Sequence, residues 1–368
     1  MAAANPVSGG PLVSVIVPAR NEEVSLGDCL ESLVAQTGVA REIIVVDDAS
    51  TDRTREIAES FAEVRVISAP PLPPGWTGKN NAVAAGAQEA RGEWLLFTDA
   101  DTVHLPGALS RSLEEARREQ VDLLSYSPEQ IAVTFWEMAT LPVVFAELAR
   151  QYAPQKVSDP ASPLAAANGQ FILVRSDAYR AVGGHAAVAQ DLLEDVGLAR
   201  AIKSSGRKIR FRYAADAVRT RMYRNFTQLR EGWTKNLALL FPSPAWLAVK
   251  TLLLWAWPWS VLCLPIVAGV ALALAREYSL SNSAQNFLQW LVAIHAQWWS
   301  NGIFIAGLLF ITTRIRKANF TWDMEILGAL FGYPMFSYLL LRSRLSHKHR
   351  KVEWKGRTYT GDFASQNS

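Results

Sequence analysis

Two stretches, Thr251 to Ala275 and Phe287 to Thr313, contain no Asp, Glu, Lys or Arg. Each exceeds the roughly 20 apolar residues that cross a hydrocarbon core of about 30 Å, so both are expected to be transmembrane helices. Trp255, Trp257, Trp259, Trp290, Trp298, Trp299 and Trp322 enrich the same region in interface-anchoring aromatics. A third apolar stretch, Ile326 to Leu341, is short and holds Gly332 and Pro334; it reads as a span or as a re-entrant or interfacial hairpin. Basic residues set the orientation. Arg314, Arg316 and Lys317 follow the second stretch, and Arg342 to Arg357 carries seven Lys or Arg against one Glu, which assigns both flanks to the cytoplasm. An even number of crossings follows: either the third segment does not span, or the first splits at Pro258. Ile131 to Tyr152 is apolar but contains Glu137, Glu147 and Arg150. It suits an amphipathic helix lying on the bilayer or a buried core helix.

The N-terminal two-thirds has a different grammar. Leu12 to Val17, Glu42 to Val46, Val64 to Ile67 and Trp94 to Thr98 are apolar strand patterns, separated by helical ones. Leu26, Leu30, Leu33 and Val34 fall on one helix face; Thr54 to Ala62 and Asn80 to Ala90 are further helices, and Ser50-Thr51-Asp52 offers capping oxygens before Thr54. Continuous apolar strands between helices predict an α/β fold with a parallel sheet covered on both faces. The expected divisions are a disordered N-terminus (1–10), a cytoplasmic α/β domain (11–244), transmembrane or interfacial helices (245–341) and a basic cytoplasmic tail (342–368). No secretory signal pattern opens the chain. A net charge of +3 without aromatic interleaving excludes a nucleic-acid partner. Cys29 and Cys263 read as buried free thiols.

Polar groups stand at the ends of three strands: Pro18 to Glu22, Asp47-Asp48 and Asp99-Ala100-Asp101. Ligands of open α/β sheets bind outside the carboxyl ends of strands. Asp99 and Asp101, one residue apart, can offer oxygen ligands to a hard divalent cation and its phosphates, although an isolated Asp-x-Asp is more often a solvated turn. Its company changes that balance: Lys79 after a Gly-containing turn, and Glu194-Asp195 farther on. Acids also favour a helix's first turn, which is the plainer account of Glu194-Asp195. A lone His185 is more often a hydrogen-bonded structural residue than a catalyst.

The series PARNEE (18–23), VVDDASTDRT (45–54), GWTGKNNA (75–82), TDAD (98–101), NGQFILVRSDAYRAVGGH (168–185) and EDVGLA (194–199) resembles family 2 glycosyltransferases. Within them it is similar to a membrane-attached subgroup acting on hopanoids and carotenoids, whose ending VEWKGR (352–357) also resembles. The resemblance implies a GT-A fold. It places Pro18, Asn21 and Glu22 near the nucleotide, with Asp47 or Asp48 on uracil or ribose, and Lys79 on the uracil or diphosphate. Asp101, helped by Asp99, would hold Mn²⁺ or Mg²⁺, which stabilises the departing diphosphate. Asp195 would be the general base of an inverting transfer, with Glu194 orienting the acceptor. Asn168, Gly169, Gln170, Gly184, His185 and Trp233 would lie on the acceptor side. The Gln-x-x-Arg-Trp sequence of processive synthases is absent; Arg230 to Lys235 stands where it would be, which favours transfer of a single sugar. The expected activity moves a hexose, glucose from UDP-glucose, onto a hydroxylated membrane lipid such as a carotenoid or hopanoid. The alternatives are a polyprenyl-phosphate sugar transferase and a non-catalytic nucleotide-sugar-binding membrane module.

Overall fold

The structure is a computed structural model that describes residues 13–278, 281–295, 299–316, 320–349, 352–354 and 356–359. The expectations for 1–10, and for the tail beyond Tyr359, lie outside the described residues.

The apolar runs form the strands they predict: β1 (Val13–Ala19), β2 (Arg41–Asp47), β3 (Val64–Ser68) and β4 (Trp94–Phe97). Downstream are β5 (Thr102–His104), β6 (Leu123–Ser127), β7 (Glu129–Gln130), β8 (Ile172–Arg175), β9 (Ile209–Tyr213) and β10 (Val218–Thr220). Seven of them make one sheet in the order β3-β2-β1-β4-β8-β6-β9, and β5-β10-β7 make a second. The large sheet is mixed rather than wholly parallel, because β8 runs antiparallel to both β4 and β6. The chain reaches β8 after a long excursion beyond the carboxyl end of β6, so it enters the sheet where its neighbours leave. Ile172 therefore pairs with Phe97, which sets Asn168 to Phe171 beside the Asp99 to Asp101 turn.

Burial explains the sequence pattern. Val13, Val15 and Val17 face one core with Leu26, Leu30 and Leu33, whereas Ile16, Ile44 and Val46 face the other with Ala82 and Val83. Ser50-Thr51-Asp52 does less capping than expected. Asp52 accepts from the Thr54 N–H at 3.0 Å, but Ser50 Oγ accepts from the Asn21 N–H, and Asp52 also accepts from the Glu23 N–H. That segment thus stitches the β1 turn to the β2 turn.

A helical layer packs beneath the α/β domain. It comprises Phe135–Gln151, Phe226–Leu240, Pro244–Glu277, Asn282–His295, Trp299–Ile315 and Trp322–Lys348. Phe135–Gln151 is its core helix rather than a surface one: residues 139–147 are buried, and Glu137 and Glu147 are paired with Arg221, and with Arg150 and Arg314. Buried carboxylates need such partners. Val143, Leu229, Trp233, Ile311, Tyr333 and Phe336 share its core.

The expected spans differ in detail. Pro244–Glu277 continues through Pro258 unbroken, about 50 Å long at 1.5 Å per residue. Within the stretch 287–313, residues 287–295 and 299–313 are helical. Among the described residues, Trp322–Lys348 is long and apolar enough to cross a bilayer, with 56% of its apolar window buried in the protein; Phe226–Leu240 and Pro244–Val261 pass that test only as a pair bent by 111°. Gly328 and Gly332, in a π-helical turn of Trp322–Lys348, let it approach Phe135–Gln151; a Cβ at Gly332 would strike the Ala139 carbonyl oxygen. Large apolar side chains, among them Trp246, Leu253, Trp257, Ile266, Phe287 and Trp290, remain exposed along these helices. Cys29 is buried as expected, but Cys263 is exposed on this surface.

Candidate active site

The carboxyl ends of β1, β2 and β3 lie level, since Ala19 pairs with Asp47 and Asp47 with Ser68. One cavity of about 300 Å³ opens along this edge. Pro18, Glu22, Asp48, Lys79, Asp99 and Asp101 line it from the strand ends and the helix Gly78–Glu89. Asn168, Gly169, Gln170, Glu194, Asp195 and Trp233 line it from the other side. Acidic groups as distant in sequence as Asp48, Asp101 and Asp195 therefore share one space.

Asp48 belongs to a turn held in an unfavourable conformation. Ala49 has φ +54°, a left-handed geometry costing about 1–2 kcal/mol for a residue with a Cβ. Such strain concentrates at functional sites. The Arg20 guanidinium donates to the Asp48 carbonyl at 2.6 Å, fixing the turn from β1.

Lys79 sits in the first turn of its helix, whose N-cap Thr77 accepts from the Asn80 N–H. The buried Asn80 side chain donates to the carbonyls of Val188, Ala189 and Asp191, so the loop leading to Glu194 is pinned to this helix. The Lys79 ammonium lies 2.8 Å from Asp99 and 2.7 Å from Glu194. Burial opposes its charge, but these two carboxylates outweigh that and hold its pKa well above the ordinary lysine value. Burial likewise opposes ionisation of Glu194, and Lys79 reverses the effect, leaving Glu194 below its usual range.

Asp195 is the contrasting carboxyl. Burial, and then the charge of Glu194, push it up to about 6. The Gly169 N–H donates to its Oδ2 at 2.9 Å and the Val196 N–H to its Oδ1 at 2.8 Å, which fixes its orientation and leaves each oxygen a further lone pair. Two neighbouring carboxyls with oppositely shifted pKa values are a mark of acid–base chemistry. A Cβ at Gly169 would crowd the Lys79 ammonium.

Asp99 and Asp101 form an oxygen donor set suited to a hard divalent cation. Among the described residues no cluster of three or more His, Cys, Asp or Glu side chains could hold a metal ion. Two carboxylates fit a cation that takes its remaining ligands from substrate phosphates and water. Asp99 is already engaged by Lys79 at 2.8 Å.

Four expected site residues do not line the cavity. Asn21 Oδ1 accepts from the Thr51 N–H at 2.8 Å and braces the turn; Asp47 accepts from the Ser50 N–H at 3.1 Å. Asp48 rather than Asp47 therefore lines the cavity. Gly184 and His185 lie deeper. His185 is buried against Phe97, its Nδ1 lies 2.9 Å from the Tyr179 hydroxyl, and burial lowers its pKa to about 4. Gly184 is needed because a Cβ would overlap the Tyr179 ring. Both therefore shape the core behind the site rather than the acceptor side.

Other lining residues escaped the motif reading: Arg20, Tyr152, Lys235 and Arg357. Lys235 ends the segment already noted for its position, and Arg357 ends the VEWKGR run, so both carried a signal of place without one of role. Much of the remaining wall is apolar, with Ser127 and Asn236 as polar members. Phe145, Leu148, Met222, Tyr223, Trp233 and Leu240 line it, drawn largely from the two helices that open the helical layer. Tyr152 closes that end by donating to the Leu240 carbonyl at 2.9 Å.

Comparison with known proteins agrees with this architecture. Residues 14–182 match the domain described as glycosyl transferase family 2. The chain is 26% identical to 4,4'-diaponeurosporenoate glycosyltransferase of Staphylococcus aureus (strain USA300) over 352 residues, covering 95% of this chain and 88% of the relative. It shares its fold with a mannosyltransferase from Pyrobaculum calidifontis at a TM-score of 0.50 and 16% identity, over 92% of this chain and 87% of the other. The domain match, the level strand ends and the mixed sheet agree: residues 14–182 form a glycosyl transferase family 2 domain, and the chain has the GT-A fold of a glycosyltransferase.

Proposed function

We propose that the enzyme transfers a hexose, glucose from UDP-glucose, to an apolar membrane acceptor of the carotenoid kind. The observation that carries this reading is a single cavity with a charged half at the strand ends and an apolar half against the helical layer. The similarity to a carotenoid glycosyltransferase supports the acceptor class. The Pyrobaculum mannosyltransferase, whose structure holds GDP-mannose and Mn²⁺, supports a nucleotide sugar and a divalent cation.

In this reading Asp101 and Asp99 hold the cation, which supplies positive charge to the diphosphate leaving group. Lys79 adds a second positive charge beside Asp99. Asp195, held by the Gly169 and Val196 amides, takes the proton of an acceptor hydroxyl as its oxygen bonds to the anomeric carbon. The bond to the diphosphate breaks on the opposite face, so configuration inverts. Glu194 stays ionised beside Lys79 and keeps Asp195 basic. The exposed apolar side chains of the helical layer supply a face for the bilayer, where such an acceptor dissolves. The cytoplasmic placement of residues 11–244 and of the basic segment 342–368 follows from the charge of the flanks.

The test is a transfer assay with full-length protein in lipid nanodiscs, UDP-glucose and Mn²⁺, and paired apolar acceptors ending in a hydroxyl or a carboxylate. The relative's acceptor name denotes a carboxylate, and a polyprenyl phosphate is likewise anionic; neither needs a base. Loss of hydroxyl transfer in Asp195→Asn supports the reading. Full retention of it removes Asp195 from the role.

A further inference from the structure

A two-stranded hairpin, β11 (Val352–Trp354) and β12 (Arg357–Tyr359), follows the last long helix and folds back to the strand ends. Arg357, the first residue of β12, lines the same cavity as Lys79, Asp99 and Asp101. Its guanidinium grips Asp48 with both branches: Nη2 donates to Oδ1 at 2.9 Å, and Nη1 donates to Oδ2. Asp48 is only 7% exposed, so the pair is set into the wall rather than laid over the surface.

The surroundings are cut to fit this side chain. Gly78 opens the helix that carries Lys79, and a Cβ there would overlap Nη1 of Arg357 and press on Asp48 Oδ2. A side-chain-free position next to Lys79 thus admits a second cation. A guanidinium fork matches phosphate oxygens as well as it matches a carboxylate. Five N–H groups also let it keep one partner while gaining another.

We propose that Arg357 is a donor-binding residue: held by Asp48, it contacts the diphosphate of the nucleotide sugar, so that the hairpin completes the donor pocket. This rests on the nucleotide-sugar reading above. Lys79 and Arg357 then bracket Gly78 as two cations facing an anionic ligand, and Asp48 keeps the fork extended before the ligand arrives.

The test is competition binding to full-length protein in nanodiscs with Mn²⁺, using UDP, GDP and the two parent nucleosides on wild type, Arg357→Ala and Arg357→Lys. For whichever diphosphate the wild type binds, Arg357→Ala is expected to weaken it at least tenfold and leave its nucleoside within twofold, with Arg357→Lys between. In turnover the loss is expected in donor KM more than in kcat. Equal affinity for the diphosphate in wild type and Arg357→Ala overturns the proposal. So does equal weakening of diphosphate and nucleoside, the mark of a purely structural clasp, and so does tighter binding, the mark of a plug. Failure of the wild type to bind either diphosphate overturns the nucleotide-sugar reading itself, and the proposal with it.

Discussion

One ammonium, that of Lys79, lies within 2.8 Å of both Asp99 and Glu194, and so couples the turn after β4 to the first turn of the helix Glu194–Ser204. The cation assigned to the donor therefore also sets the charge of the carboxyl beside the assigned base.

Replacing Lys79 by Met removes this charge while keeping most of the side chain's volume. Transfer is expected to fall by about 10²–10³, the loss typical of removing one preorganised charge-stabilising group. Steady-state rates in nanodiscs check this; a loss under threefold would reduce Lys79 to a structural ion pair.

The raised pKa of Asp195 makes an acid limb the expected feature of the rate profile. Transfer to a hydroxyl acceptor needs the ionised form, so kcat is expected to fall tenfold per unit below about pH 6. Stability runs the other way. The folded protein holds this proton more tightly than the unfolded chain, so the Asp195 contribution to stability declines as pH rises from about 4 through about 6. Asp195→Asn is thus expected to lose activity without losing melting temperature at pH 7.5, measured by the rate and by thermal unfolding. A profile flat to pH 5 would contradict the assignment.

Leu148 lines the apolar end of the cavity from the helix Phe135–Gln151. Leu148→Trp is expected to reduce transfer to a long apolar acceptor more than tenfold while UDP affinity stays within twofold. Binding and turnover assays on one preparation separate the two effects, and an equal loss in both would mean the apolar half is not the acceptor's.

Gly332→Val places a branched side chain against the Ala139 carbonyl and Val143. Overpacking of this kind costs about 1–3 kcal/mol, seen as a lower melting temperature in detergent. An unchanged melting temperature would show that the two helices separate at little cost.

Much of the α/β domain was legible because its strands are continuous apolar runs that end in polar turns. Asp48, Lys79, Asp99, Asp101 and Asp195 line one cavity, and each stands in sequence next to such an ending or a helix start. The reversal of β8 was not legible, since Ile172 to Arg175 has the same apolar pattern in either direction and its sense depends on where the preceding loops travel. Asn21 and Asp47 look like ligands in sequence but spend their oxygens on local N–H groups, a choice made by turn geometry. Lack of charge marked apolar helical segments, but the course of a helix at Pro258 was not legible, since that proline sits within a continuous helix.

The cavity wall draws on positions as early as Pro18 and as late as Arg357. During synthesis the sheet can assemble long before the hairpin emerges, and the intervening helices must find their own packing first. A nascent chain thus carries an open, unfinished cleft, and catalytic competence is expected to await docking of the final hairpin.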